Sequence, residues 1–577
     1  MKQKFTKSLI VMVLAFVVAF GSVLSASALP INNVNNAYFY NVDGIDAAAP
    51  ISFTVEKQLS VTDIVAKAAS NTVFVPEDLF YRNGYLYILD SRSSAVYVLD
   101  EQYQLVSTIR LLTGDIPALE LSDASQGGAE GEEEGEEGGL LGGTSKNQYA
   151  LQSPQGIFVT EDGTIYIADT GNQRIVACDI NGKVSKVIQG IKFPIVGEDF
   201  AFCPTRLVVD SVNDIQVICQ GINRGVIQIT SEGKFNAFFG TPNVIPSLGD
   251  RIWRNFATEK QLAQMITYTP TEYSSITIDD RGFIYTTIAM LDEDSVKGLA
   301  GKSTATNHAP VRKLSADGTD MLRRNGLASP MGDIVWPQIL DYAPKIVDIA
   351  VDNESGRYVI LDQTTGRFST YDTTGNLLYI CGGTGSSVGT FKRANALEIN
   401  GDLVYVADKE NNTITVFKAT AYTLAVNAAA EATSSGHWNE SLKLWQNVLS
   451  YNSNMYIANM CMGEAEMQLA LDLIGDQTDA DGLTSWDHYE RAMFYYNRCN
   501  EKENYSTAYM AIRTHELEKY FGLIFGSIGV LVVGYFVLKF VRNYKKRKKE
   551  KAEKLAAALA RQEAAAKKYH QMKGDEE

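Results

Sequence analysis

Between residues 156 and 188, apolar and polar residues alternate in four short runs. The runs read GIFV, TIYIAD, RIVACD and KVSKVI, and short turns that contain Gly163, Gly171 and Gly182 separate them. Alternation turns one face of a strand inward and the other outward, and tight glycine-bearing turns join antiparallel neighbours. The segment therefore predicts a small sheet of four antiparallel strands.

The same four-strand pattern occurs six times along the chain. The other units span 75–109, 204–239, 274–290 continued at 311–322, 346–380 and 395–426. Four strands cannot cover both faces of their own sheet, so consecutive units bury those faces by stacking around a closed ring. The pattern predicts a mainly β fold, with a six-bladed β-propeller over residues 75–426.

An extended segment precedes the first unit, at residues 29–74. Its strand-like stretches are AYFYNVDG (37–44) and ISFTVEK (51–57). A ring of blades has a seam where its first and last members meet, and that seam needs a closing element. We expect this segment to complete the last blade or to staple the closure.

From residue 427 the apolar residues recur with the period of a helix, which predicts helices over 427–519. In SSGHWNESLKLWQNVLSYNSNMYIANMCMGEAEMQLALDL, six residues lie where a tetratricopeptide repeat has its packing residues: Gly436, Trp438, Ser441, Leu442, Trp445 and Leu449. The segment resembles one and a half to two such repeats, which implies binding of a peptide or helix. A plain helical stalk is the alternative.

Both ends of the chain carry long apolar runs. Residues 1–28 have a basic start, an apolar stretch and a small-residue Ala-Ser-Ala end, which predicts a secretory signal peptide. Phe521–Phe540 is long enough to cross a lipid bilayer, which predicts a transmembrane helix at 520–541. The basic run RNYKKRKKEKAEK follows it and predicts a cytoplasmic tail at 542–577. The expectation is a single-pass type I protein of the cell membrane, with extracellular N-terminal domains.

Charge narrows the class of partner. The chain has a formal net charge of −16, and because its C-terminal tail is basic, the expected extracellular part is more acidic still. Such a surface repels nucleic acid, which is excluded as a partner. Residues 118–148 include GAEGEEEGEEGG, whose like charges and glycines predict a disordered acidic loop between the first two blades.

The segment PQGIFVTEDGTIYIADTGNQRIVACDINGK resembles the NHL-repeat propellers. Gly156, Asp169, Asn172 and Arg174 fall on the marked positions of that repeat. ILDSRSSAV, ILDQTTGRF and VADKENNTI match less fully, because each lacks the complete T-x-N-x-R. The resemblance covers about 75–426 with long insertions, and implies a propeller without specifying what it does.

An aspartate recurs at the end of the second strand in four units, as Asp90, Asp169, Asp362 and Asp408. A catalytic residue is needed once, not once per blade. Asp and Asn close turns by hydrogen bonding to local backbone groups. We therefore interpret these aspartates, with Asn172 and Arg174, as structural residues of the blade turns.

Little in the sequence indicates an enzyme. The predicted propeller has one histidine, His308, which does not suit the several-histidine zinc site of the peptide-amidating lyases, one NHL-like class. No G-x-S-x-G, H-E-x-x-H, Walker or dinucleotide motif occurs. We expect neither catalysis nor a cofactor. A calcium-dependent hydrolase similar to the gluconolactonase-like propellers stays as an alternative, although no residue matches that motif cleanly.

Long insertions carry aromatic residues. They run over 241–272, 291–310 and 327–345, and contain Trp253, Phe256, Trp336 and Tyr342. Such residues on a propeller rim stack against sugar rings or anchor a protein partner. The sequence favours a membrane-anchored extracellular scaffold for protein–protein interaction, in an envelope assembly such as one with a transporter. A carbohydrate-binding wall sensor is a second alternative.

Overall fold

The computed structural model describes residues 38–40, 46–65, 74–117, 149–191, 201–241, 272–289, 309–324, 330–332, 344–473 and 477–574. The chain divides into two compact units, Met1–Ala465 and Glu466–Glu577. The signal peptide and the acidic loop expected from the sequence lie outside the described residues.

Six antiparallel sheets form a propeller within the first unit, and the predicted six-bladed β-propeller is confirmed, although blade 4 has three strands among the described residues instead of the expected four. Blade 1 consists of Pro76–Arg82, Tyr85–Asp90, Ala95–Leu99 and Leu105–Ile109. Blade 2 consists of Gly156–Val159, Ile165–Asp169, Arg174–Cys178 and Val184–Gln189. Blade 3 consists of Pro204–Val209, Ile215–Cys219, Val226–Ile229 and Phe235–Phe239. Blade 4 consists of Ser275–Ile278, Ile284–Thr287 and Val311–Leu314. Blade 5 consists of Ile346–Val351, Tyr358–Asp362, Arg367–Tyr371 and Leu377–Gly382. Blade 6 consists of Ala394–Asn400, Leu403–Asp408, Thr413–Ala419 and Phe53–Ser60.

The hydrophobic core lies between neighbouring blades. Leu89 and Val98 of blade 1 pack with Ile157 and Ile167 of blade 2 in one buried cluster. The strands Ile165–Asp169 and Arg174–Cys178 are buried along their whole length, because a blade is covered on both faces. The first strand of each blade adjoins the first strand of the next, so these six strands surround the axis of the ring.

The strand Phe53–Ser60 closes the ring. It pairs antiparallel with Thr413–Ala419, and Leu59 lies opposite Ile414. Leu59 is fully buried, in a cluster that joins Leu79 of blade 1 to Tyr405 of blade 6. The last blade thus takes its outer strand from the N-terminal side of the propeller, which ties the two ends of the repeat array together.

A second N-terminal element lies against blade 5. Tyr38–Tyr40 pairs with Asp46–Ala48 in a two-stranded sheet. The guanidinium of Arg367 lies 4.8 Å from the centre of the Tyr38 ring, and its Nη1 donates to the Tyr38 hydroxyl at 3.3 Å. The Tyr38 ring therefore stacks on the guanidinium of Arg367.

Helix α1, Val61–Ile64, follows the closing strand, and α2, Ala421–Ser434, follows the last blade. The Thr420 side chain caps α2 by accepting from the Thr423 backbone N–H. The boundary between propeller and helices expected at 426/427 is wrong, because residues 421–426 belong to helix α2. The alternating stretch AYTLAV is not a strand, since Phe53–Ser60 already occupies the outer edge of blade 6.

Two further helices follow, α3 at Trp438–Tyr451 and α4 at Tyr456–Asp472. Trp445 is fully buried, and its Nε1 donates to Thr433 Oγ1 of α2 at 2.8 Å. The Tyr379 hydroxyl of blade 5 donates to Asn427 of α2 at 2.8 Å. These hydrogen bonds attach α3 to α2, and α2 to the propeller.

The second unit contains helix α5 at Ser485–Arg498 and the long helix α6 at Lys502–Gly574. Thr484 and Asp487 form a capping box at the start of α5. Helix α6 is long and apolar enough to cross a membrane. Its apolar side chains face outward, and Leu531 is 72% exposed.

Candidate functional site

The recurring aspartates join two parts of the same blade. Asp90 accepts from the backbone N–H groups of Val75 and Ser93, at 3.2 and 3.1 Å. Asp408 accepts in the same way from Lys392, at 2.7 Å, and from its own turn. Each carboxylate thus links the turn after the second strand to the chain that enters the first strand.

The turn in blade 2 carries a buried ion pair. Arg174 Nε donates to Asp169 Oδ2 at 2.8 Å, and both side chains are fully buried. Asn172 donates to the same oxygen at 2.8 Å, and the Gln152 backbone N–H donates to Oδ1 at 2.7 Å. Asp362 of blade 5 similarly accepts from the Lys345 backbone N–H at 2.9 Å. These contacts are local to each blade and leave no space for a substrate.

The first strand of four blades contains a β-bulge near its start. The bulges lie at Glu77, Thr205, Val347 and Asn395. All four residues, with Gln155 and Ser274 of the remaining blades, line one cavity of about 180 Å³. Six blades can contribute to a single cavity only at the axis of the ring, so we name this space the axial cavity. The bulges turn these side chains toward it.

Cationic side chains predominate around the axial cavity. Arg206, Lys345, Arg393 and Lys409 line it, against one carboxylate, Glu77. Lys409 Nζ contacts Glu77 Oε1 at 2.5 Å. Burial lowers the pKa of the Lys409 ammonium, Glu77 opposes that shift, and the charges of Arg206 and Arg393 add to it.

Below the axial cavity, a charged network joins the first strands. Arg206 forms an ion pair with Asp78, whose other oxygen accepts from the Ile157 backbone N–H at 2.8 Å. Asp348 accepts from the Leu397 backbone N–H at 2.7 Å. Burial raises the pKa of Asp348 and the Arg206 charge opposes the rise. These carboxylates satisfy N–H groups on the inner edges of strands, where no neighbouring strand can do so.

Further along the first strands lie an aromatic pair and a buried carboxyl. The rings of Phe80 and Phe158 lie 4.9 Å apart, and Glu398 is on the first strand of blade 6. Burial raises the pKa of the Glu398 carboxyl to about 8; a hydrogen bond from the Ile399 backbone N–H opposes the shift, and the Asp348 charge adds to it. The carboxyl is therefore largely protonated at neutral pH.

A second cavity, of about 380 Å³, lies where the first strands of blades 1 to 4 end. Its acidic lining includes Asp210 and Asp279, but each accepts backbone N–H groups of its own turn, at 2.8 to 3.1 Å. Among the described residues, no group of three or more His, Cys, Asp or Glu side chains could hold a metal ion. The carboxylates here close turns.

The long insertions open on the face of the propeller that holds the axial cavity. In an antiparallel blade, the first and third strands begin at one face of the propeller. The second and fourth strands end at that same face. The gaps at 118–148, 192–200, 242–271 and 333–343 each precede a first strand, and the gap at 290–308 joins a second strand to a third. We call this side the cavity face. Trp253, Phe256, Trp336 and Tyr342 lie outside the described residues.

Sequence reasoning singled out the turn aspartates and missed the axial cavity. A signal was available, since the third residue aligns in VPEDLF, SPQGIF, CPTRLV, EYSSIT, KIVDIA and RANALE, at the start of each repeat unit. The aligned residues include Glu77, Gln155 and Asn395. Lys345, Arg393 and Lys409 belong to turns, and only the closed ring brings them to these residues.

Comparison with known proteins supports the propeller and little beyond it. No curated protein matches the chain. Solved structures with a similar fold include a streptogramin B lyase, at 12% identity over 65% of this chain and 100% of that chain, with a TM-score of 0.35. Another is the Kuenenia stuttgartiensis hydrazine synthase, at 11% identity over 62% and 99%, with a TM-score of 0.33.

A third is the β-propeller domain of Myceliophteria thermophila Cps50 (Swd1), at 9% identity over 64% of this chain and 100% of that domain, with a TM-score of 0.34. Scores this low carry no argument about activity. At the level of sequence, residues 151–178 match the NHL repeat family model. The likeness to NHL repeats is thus carried by the part of the chain that enters and forms the first three strands of blade 2.

Proposed function

We propose that this protein is a membrane-anchored scaffold, whose propeller binds a protein partner in the cell envelope. The observation that carries the proposal is a closed propeller followed by a helix whose apolar run is exposed to solvent. Leu523, Val530, Leu531 and Leu538 are each 70–72% exposed. Burying one such side chain stabilises a protein by about 1.5–3 kcal/mol, so a run of this length favours lipid.

Charge supports one orientation of that helix. Arg542 and Lys545–Lys549 follow the apolar run directly, and cationic residues next to a span remain on the cytoplasmic side. The propeller then lies outside the cell, as a signal peptide at residues 1–28 requires. The acidic charge of the chain agrees with a protein partner rather than a nucleic acid.

The cavity face is the side that we assign to the partner. The strands that flank the insertions with Trp253, Phe256, Trp336 and Tyr342 meet this face, and aromatic residues are frequent anchors of protein interfaces. Helix α2 is hydrogen-bonded to blade 5, and the segment that forms helices α3 and α4 resembles tetratricopeptide repeats. They add a second surface suited to a peptide or helix.

Membrane anchoring is tested by a charge in the apolar run. Leu531→Arg in the full chain places a cation near the middle of the run, at a cost of about 2.5–3.5 kcal/mol for insertion. We expect this variant to leave the membrane fraction on carbonate extraction more readily than the wild type. The control is Leu555→Arg, because Leu555 is also exposed on helix α6 but lies beyond the run. Equal extraction of both variants and the wild type would contradict the anchor.

Partner binding is tested by photo-crosslinking in intact cells. Photoreactive residues at Leu111 and Val388, which are 62% and 51% exposed after the fourth strands of blades 1 and 5, probe the cavity face, and one at Val212, which is 66% exposed in a turn of the opposite face, is the control. We expect the same cross-linked protein from both probes and none from the control. Absence of cross-links, together with calcium-dependent hydrolysis of a lactone, would favour the hydrolase alternative. Cross-linking to wall carbohydrate would favour the sensor.

A further inference from the structure

The axial cavity is electropositive although the chain as a whole is acidic. Four cationic side chains and one carboxylate line it, in a protein of net charge −16. Arg206 is paired with Asp78, and Lys409 with Glu77. Among the described residues, the side chains of Lys345 and Arg393 have no carboxylate partner. These two cations are available to a ligand in the cavity.

Neutral hydrogen-bonding groups complete the lining. The side-chain amides of Gln155 and Gln363 line the cavity, and Gln363 Nε2 is held by a 2.8 Å hydrogen bond to the Ala394 carbonyl oxygen. The hydroxyls of Thr205 and Ser274 also line it, but they donate to the carbonyl oxygens of Ile218 and Ile346. Amide N–H donors beside cationic side chains are groups that coordinate phosphate and carboxylate oxygens.

The dimensions limit the ligand. A volume of about 180 Å³ corresponds to about six water molecules, and is below the range typical of drug-sized ligands. Arg206 lies at what we call the floor of the cavity, where its ion pair with Asp78 holds it in place. A small ion or the charged end of a small molecule fits, whereas a peptide helix or a polymer does not.

We propose that the axial cavity binds a small oxyanion, the phosphate or carboxylate group of a small molecule, with Lys345 and Arg393 as its principal charged ligands. The site is independent of the proposed membrane anchor and of the protein partner. Lys409 contributes mainly through its pair with Glu77, which holds the cavity wall in place. Arg206 supplies positive charge at the floor.

The experiment is isothermal titration calorimetry of the full chain, purified in detergent in a buffer free of phosphate and carboxylate. The probes are inorganic phosphate and succinate, in separate titrations, which distinguish the two sources of oxyanion. The variant is Lys345→Gln with Arg393→Gln. The matched control, Lys183→Gln with Lys234→Gln, removes the same charge from exposed turns on the opposite face. If the double variant fails to fold, Arg393→Gln alone replaces it, because the Arg393 side chain is exposed.

We expect at least one probe to bind the wild type, and the double variant to bind it at least tenfold more weakly, about 1.4 kcal/mol. The control should keep the wild-type affinity within a factor of two. Binding of phosphate alone, of succinate alone or of both supports the site and identifies its chemistry. No binding to the wild type, or an equal loss in the control, would overturn the proposal and leave the membrane and partner assignments unaffected.

Discussion

The buried pair of Arg174 and Asp169 in blade 2 makes a quantitative prediction. Substituting Arg174→Met keeps most of the side-chain volume but leaves the Asp169 carboxylate without its cation. Removing one partner of a buried ion pair typically destabilises a protein by about 3–5 kcal/mol. Asp169 still accepts from Asn172 and from the Gln152 backbone N–H, so we expect the lower end, about 3 kcal/mol.

The assay is equilibrium urea unfolding of the full chain, followed by circular dichroism, with hydrogen exchange of blade 2 peptides to localise the effect. Asp169→Asn and the double variant Asp169→Asn with Arg174→Met complete a mutant cycle. Because the two side chains are in contact, we expect an interaction free energy of about 1–3 kcal/mol. Lys183→Met is the control for charge loss, since Lys183 is exposed in the same blade.

Two results would refute this reasoning. One is a loss of less than about 0.5 kcal/mol for Arg174→Met, the range expected of a surface substitution. The other is a double variant whose destabilisation equals the sum of the single ones. Either result would mean that the blade turn is stable without the ion pair, and that this arginine has another role.

Three further predictions concern the Glu398 carboxyl, the ring closure and helix α2. Because the pKa of Glu398 rises from its ordinary 4.5 to about 8 on folding, the folded state retains a proton that the unfolded chain releases. The free energy of unfolding should therefore fall as pH rises from about 5 to 8, and Glu398→Gln should flatten that slope in urea unfolding. Leu59→Ala should lower the free energy of unfolding by about 2–5 kcal/mol in the same assay, and Thr54→Ala, at an exposed position of the same strand, by less than about 0.5 kcal/mol. Equal effects would contradict closure of the ring by this strand. Thr420→Ala removes the cap of α2 and should cost about 1 kcal/mol, with faster hydrogen exchange at residues 423–426; unchanged exchange there would argue against a helix start at Ala421.

The repeat pattern was sufficient to predict the blades, because short, mainly apolar runs recur at a regular spacing and are separated by turns rich in glycine, aspartate and asparagine. The TIYIAD and RIVACD runs became Ile165–Asp169 and Arg174–Cys178, which pair antiparallel as the pattern indicated. The stretch AYTLAV alternates in the same way and became helical instead. Periodicity alone did not distinguish this helix from a strand. The difference arises because a segment distant in sequence, Phe53–Ser60, occupies the strand position next to Thr413–Ala419.

The same limit explains why the axial cavity was missed. Glu77 and Lys409 are far apart in sequence, and each follows local rules for a strand start or a turn. A bulge changes the direction of a side chain by a register shift of one residue, which the composition of a strand does not reveal. Arg367, five residues after Asp362, occupies the position of Arg174 in blade 5, yet it stacks on Tyr38 of the N-terminal hairpin.

The sequence by itself determined the number of blades, the turns between their strands, the helical segment and the apolar run at the C-terminal end. These depend on periods of two or 3.6 residues and on short-range hydrogen bonds, which neighbours in the chain supply. Only the tertiary structure decided which strand closes the ring, where helix α2 begins, and that cations from separate blades surround one cavity. Those features arise from contacts between residues distant in the chain, and such contacts exist only after the six blades have packed against one another.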